Sequence, residues 1–132
     1  MPLDFNMKVL IVDDYKTMIR INRNLLGHIG FTNFVEAYSA EGAAKALNTD
    51  DIGLMVTDHM SDEPVIGMTG CDLVSYMRGS TKYAHIPVIM VTQSNNVAHL
   101  DKLMACGPEE VMIKPYNAAS LKRRIANIFG KF

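Results

Sequence analysis

The sequence predicts an α/β fold, an open parallel sheet of five strands doubly wound by helices on both faces, and three observations carry that expectation. Short β-branched runs alternate with helical patterns five times along the chain. Three of the runs are almost continuously apolar, as strands covered on both faces are. The connections between runs and helices are short, which favours parallel β-α units.

The strands are expected at Lys8–Val12, Asn33–Ala37, Gly53–Thr57, Pro87–Val91 and Glu110–Ile113. Between them, Met18, Ile21, Leu25 and Ile29 recur at helical spacings of three and four. Leu73, Val74 and Met77 do the same, then Val97, Leu100 and Met104, and finally Leu121, Ile125, Ile128 and Phe129. Gly30, Gly79 and Gly107 fall just past helix ends, where glycine relieves a left-handed turn. No repeat or low-complexity linker interrupts the pattern, so residues 1–132 are expected to form one domain.

Composition narrows the function classes. Apolar residues make up 48% of the chain, enough for an unstapled core. With 13 basic and 14 acidic residues the net charge is −1, so no global field draws the protein to nucleic acid or anionic lipid. Neither a signal-peptide pattern nor an apolar stretch of membrane-spanning length occurs, and a cytoplasmic setting is expected. Cys71 and Cys106 lack metal-ligand spacing and read as buried free thiols. His28, His85 and His99 show no metal-ligand spacing either. His59 reads as a solvent-facing loop residue, and Lys122-Arg123-Arg124 as a solvated helix face.

The chemistry is expected at the carboxyl ends of the strands, where open parallel sheets bind ligands. The first strand runs into Asp13-Asp14, the third into Asp58, the fourth ends at Thr92, and the fifth at Lys114-Pro115. Taken singly, each is an ordinary turn, cap or surface residue. Together they deliver three carboxylates, a hydroxyl and an ammonium to one pole of the sheet. Carboxylates about 4 Å apart repel by roughly 4 kcal/mol per pair at an effective dielectric near 20. Such a set holds either a proton or a divalent cation, and all-oxygen ligands suit Mg²⁺. A carboxylate beside a cation and an ammonium can attack phosphorus, with a hydroxyl donating to the transferring group.

Val-Asp-Asp at 12–14, Asp58, Thr92 and Lys114-Pro115 resemble, in order and spacing, the motif of response-regulator receiver domains. Thr17-Met18, Asn24-Leu25-Leu26, Gly30-Phe31, the run from Pro87 to Thr92, and Ile128-Phe129 are most similar to the single-domain receivers of chemotaxis. The resemblance spans essentially the whole chain. It implies a flavodoxin-like (βα)5 sheet in the order 2-1-3-4-5. It implies that Asp58 accepts phosphate from a histidine kinase or phosphotransfer protein in a Mg²⁺-dependent reaction. Asp14, Asp58 and the Met60 carbonyl would bind the metal directly and Asp13 through water. Lys114 would pair with the phosphoryl group, and its peptide bond to Pro115 would be cis. Thr92 would move and reset the surface of helix four, strand five and helix five for an output protein such as a flagellar motor switch component. The expected protein is a monomer that catalyses only its own phosphorylation and dephosphorylation, without nucleic-acid binding or membrane insertion.

Three features depart from that motif. The loop Ser61–Gly67 is four residues longer than usual, and its apolar pair Val65 and Ile66 leads us to expect it over the rim of the site. Gln93 follows Thr92 where a small residue is common, and Val111 occupies the place of an aromatic switch. A phosphorelay carrier or phosphate sink shares the same chemistry, and no output domain is expected after Phe132. A haloacid-dehalogenase-type phosphatase would want an acid where Met60 stands. A flavin-mononucleotide binder would need amides and hydroxyls in place of Asp13-Asp14.

Overall fold

A computed structural model describes residues 3–60 and 68–130. The elements run β1 (Lys8–Val12), α1 (Lys16–Ile29), β2 (Asn33–Ala37), α2 (Ala40–Thr49), β3 (Ile52–Asp58), α3 (Gly70–Arg78), β4 (Val88–Thr92), α4 (Val97–Ala105), β5 (Glu110–Ile113) and α5 (Ala118–Phe129). Five parallel strands lie in the order β2-β1-β3-β4-β5, as expected. The expected bounds of β3 and β4 each shift by a residue at both ends. The extended loop 61–67 lies outside the described residues.

Alternation along each strand divides the core between the two faces of the sheet. Val9, Ile11, Leu54, Val56, Ile89 and Val91 meet Ile19 and Leu26 of α1 and Leu121, Ile125 and Phe129 of α5. Leu10, Val12, Met55, Val88 and Met90 meet Ala43 and Leu47 of α2, Leu73 and Met77 of α3, and Leu103 of α4. Every one of these side chains is buried, so both faces of the central strands are dry.

Four local expectations are corrected. The inward face of α1 is Ile19, Asn22 and Leu26, one position from the expected stripe, and Ile21 is 43% exposed. A polar residue, Asn22, holds the central inward place and disguises the period. Gly30 and Gly107 have positive φ, but Gly79 sits at φ −82, so it closes α3 without a left-handed turn. His59 is half-buried with its ring 5.5 Å from that of His99, so it is not a solvent-facing loop residue. Cys71 and Cys106 form a disulfide and are not free thiols. Cys71 sits in the first turn of α3 and Cys106 caps α4, and their Cα atoms are 5.5 Å apart, within bridging range. The 35-residue separation that hides this pairing in the sequence is closed by two helices sharing one face of the sheet.

Candidate functional site

Strand register assembles the site. Val12 lies opposite Thr57, so the residues that follow, Asp13 and Asp58, leave adjacent strands side by side. Asp58 lies opposite Val91, which puts Thr92 next along β4, and Thr92 lies opposite Ile113, which puts Lys114 just past β5. The ladder continues beyond the strand ends: Asp13 N–H donates to Ala37 O, His59 N–H to Val91 O, and Lys114 N–H to Thr92 O. These chain segments therefore enter the site on rigid backbone.

Asp58 is held from both sides. Lys114 Nζ donates to its Oδ1 at 2.7 Å, and the Met60 N–H donates to its Oδ2 at 2.9 Å. Met60 turns its amide inward by adopting a left-handed backbone, φ 56. Behind this turn, Gly70 N–H donates to His59 O at 2.7 Å, and a Cβ at Gly70 would stand 2.5 Å from Asp58 O. Only glycine allows α3 to begin that close to the Asp58 turn.

Asp13 is 1% exposed. Its Oδ1 accepts from Tyr15 N–H at 3.0 Å, while Oδ2 faces Lys114 Nζ at 3.6 Å without a hydrogen bond among the described residues. Burial first, then the nearby charge of Asp58, raises its pKa from 3.8 to about 6. Burial alone would lower the Lys114 ammonium, but its hydrogen bond and charge attraction to Asp58, with Asp13 adding to them, carry it above the ordinary lysine value. One ammonium thus serves two buried carboxylates, and the exposed Asp14 adds a third. Ligand oxygens of Asp13, Asp14 and Asp58 lie within 4.8 Å of one another. A hard, oxygen-loving cation fits this set, because it would satisfy the orphaned Asp13 oxygen and relieve the repulsion.

The structure brings together Asp13, Asp14, Asp58, Met60 and Lys114, with Thr92 on the neighbouring strand. Thr92 is 5% exposed; its Oγ1 accepts from Ser94 N–H at 3.2 Å and lies 3.4 Å from His99 Nε2. Gln93 is exposed, and Val111 is half-buried against the apolar cluster. The Lys114–Pro115 peptide is cis.

Sequence reasoning passed over Tyr116 and weighed His99 only as a metal ligand. The Tyr116 hydroxyl is buried without a hydrogen-bond partner among the described residues. Burial, then the charges of Asp13 and Asp58, raises its pKa above the ordinary phenol value. An aromatic directly after Lys114-Pro115 was the available signal for it. For His99 there was none, because its contact with Thr92 depends on how α4 returns over the sheet.

The family model for the response regulator receiver domain matches residues 9–126. The chain is 38% identical over 125 residues to the chemotaxis protein CheY of Pseudomonas aeruginosa, covering 95% of this chain and 98% of that protein. It is 37% identical over 129 residues to the chemotaxis protein CheY-3 of Vibrio cholerae, covering 98% and 96%. Among solved structures, the chemotaxis response regulator CheY4 of Vibrio cholerae aligns with a TM-score of 0.80 at 23% identity, over 93% of this chain and 98% of that one. This last likeness bears on the fold.

Proposed function

The chain belongs to the response regulator receiver family, and from that premise we propose that Asp58 accepts a phosphoryl group from a histidine kinase or phosphotransfer protein. The observation that carries this reading is the clamped Asp58 carboxylate, between the Lys114 ammonium and the Met60 amide and facing Asp13 and Asp14. One Asp58 oxygen attacks phosphorus as the bond to the donor nitrogen or acyl oxygen breaks, and the leaving group departs with the bonding electrons. Lys114, already at hydrogen-bond distance, stays beside the new acyl phosphate and offsets its charge. Asp14, Asp58 and the Met60 carbonyl would hold Mg²⁺, with Asp13 contributing through water. When bound, such an ion would supply charge neutralisation on the transferring oxygens. Thr92 donates its hydroxyl proton to a phosphoryl oxygen.

The output is a change of docking partner. Val97 and Met104 on α4 and Ile113 on β5 are exposed, at 72%, 45% and 37%, and give the α4-β5-α5 side an apolar surface. A chemotaxis or motility target, such as a flagellar motor switch component, is the partner class that the relatives suggest. We assign the protein a cytoplasmic setting and the role of a receiver that catalyses only its own phosphorylation and dephosphorylation.

Asp58→Asn tests the assignment. Incubated with a small acyl phosphate and Mg²⁺, the wild type should gain one acid-labile phosphate by intact mass, and the variant none, because an amide is a poor nucleophile. Stoichiometric phosphate on the variant would move the acceptor elsewhere. For the output, proteins retained by the fluoroberyllate-treated chain and not by the untreated chain would identify the target.

A further inference from the structure

We propose that His99 is a positioning residue that engages the Thr92 hydroxyl in the resting protein and passes its release into helix α4. The inference rests on the reading of Thr92 as a donor to the phosphoryl group and names the residue it must leave. A hydroxyl has one proton. The Thr92 oxygen already accepts from Ser94 N–H, and His99 Nε2 lies 3.4 Å away. In the neutral tautomer with its proton on Nδ1, His99 accepts the Thr92 proton. Once that proton turns to a phosphoryl oxygen on Asp58, the bond to His99 is lost. The two arrangements exclude each other.

His99 is placed to transmit that choice. It lies in the first turn of α4, with its N–H donating to the Asn96 cap at 3.1 Å. Its ring packs against His59, the residue after Asp58, so it is braced from the phosphoacceptor side as well. Position 111, which faces the same region from β5, is a valine packed in the apolar cluster and offers Thr92 no polar group. Leu103 is the buried residue of α4, and Val97 and Met104 are largely exposed. Leu103 and the bridged Cys106 cap anchor the later part of α4, which leaves its first turn to respond to the loss of one hydrogen bond there.

Hydrogen exchange of segment 97–105, with and without fluoroberyllate, tests this in the wild type, His99→Phe, His99→Gln and Thr92→Ala. Phenylalanine keeps the ring against His59 and removes the acceptor; glutamine restores an oxygen near the Nε2 position. In the wild type, fluoroberyllate should speed exchange in this segment by about three- to tenfold, the change expected from one hydrogen bond. His99→Phe should show the fast exchange without the mimic and little further response, and His99→Gln should recover the response. Fluorine resonances of the bound mimic report occupancy separately, and His99→Phe should bind it as the wild type does. A wild-type-sized response in His99→Phe, with the mimic bound, would overturn the latch alone. Absence of bound mimic in the wild type would overturn the Asp58 reading and the latch with it.

Discussion

The carboxylate pole and the α4 side of this molecule lie a few residues apart along β4, yet they are built by different rules. At the pole, Asp13, Asp58, Thr92 and Lys114 leave successive strands in register, so order along the chain becomes order in space. Around α4 the contacts that matter join residues with no shared spacing: Cys71 with Cys106, Thr92 with His99, and His59 with His99. A parallel sheet converts sequence into position at strand ends. The packing of the helices over it does not follow from any pattern in the chain.

The disulfide is where breaking that comparison should cost most. A bridge closing a loop of this size is worth about 3–4 kcal/mol in the chain-entropy model. Arg78 independently ties α3 to the segment after α4, donating to Gly107 O at 2.9 Å and pairing with Glu109 at 2.7 Å, so the two helices stay neighbours without it. Reduction, or replacement of both cysteines by serine, should therefore lower the thermal midpoint by about 10 °C while the domain still folds. Calorimetry with and without reductant decides; a wild-type midpoint indifferent to reductant would remove the bridge from the stability account. Disulfides are uncommon in reducing compartments, so the proposed cytoplasmic setting predicts that the reduced form is the working one.

Gly70→Ala sharpens the other half. The added methyl would meet the Asp58 carbonyl at 2.5 Å, and backbone on both sides leaves little room to yield. Overpacking of this kind costs about 2 kcal/mol, and it should also disturb the Met60 amide that holds Asp58. Urea melts should show the loss, and phosphorylation by a small acyl phosphate should slow with it. Unchanged melts would mean that α3 can slide back from the Asp58 turn.

These contrasts mark how far the sequence could be read. The five strands and four of the five helices were legible, because apolar runs and stripes record burial directly; α2 offered no such stripe, and the strand order came with the family resemblance. The gathering of Asp13, Asp58, Thr92 and Lys114 at one pole of the sheet was legible from the strand ends. The face of α1 was misread because Asn22, a polar residue, is buried there, its carbonyl oxygen without a hydrogen-bond partner among the described residues. The cysteine pairing and the surroundings of His59 were misread because both depend on helices meeting across long separations. Tyr116 was missed although its place after Lys114-Pro115 was visible, since nothing in the sequence says that its hydroxyl points toward buried charge.

The smallest predicted effect is the one with the least intuitive sign: without metal, Asp13→Asn should stabilise the protein. Folded Asp13 titrates at about 6 instead of 3.8, so as pH falls the folded chain takes up this proton before the unfolded chain does. In EDTA its contribution to stability therefore grows as pH falls from above 6 towards 4, and is lost as pH rises through about 6. Asparagine never carries the buried charge, and its side-chain oxygen can still accept from Tyr15 N–H. It gives up the 3.6 Å attraction to Lys114, which keeps the gain below the full linkage value. At pH 7.5 in EDTA the variant should be about 1 kcal/mol more stable than the wild type, and near pH 4 the two should converge. Mg²⁺ should stabilise the wild type more than Asp13→Asn, and Asp14→Ala should weaken Mg²⁺ binding further than Asp13→Asn does. Urea melts at both pH values, with EDTA or with Mg²⁺, measure all of this. An Asp13→Asn variant weaker than the wild type in EDTA at pH 7.5 would mean that the pairing with Lys114 outweighs the burial of the charge.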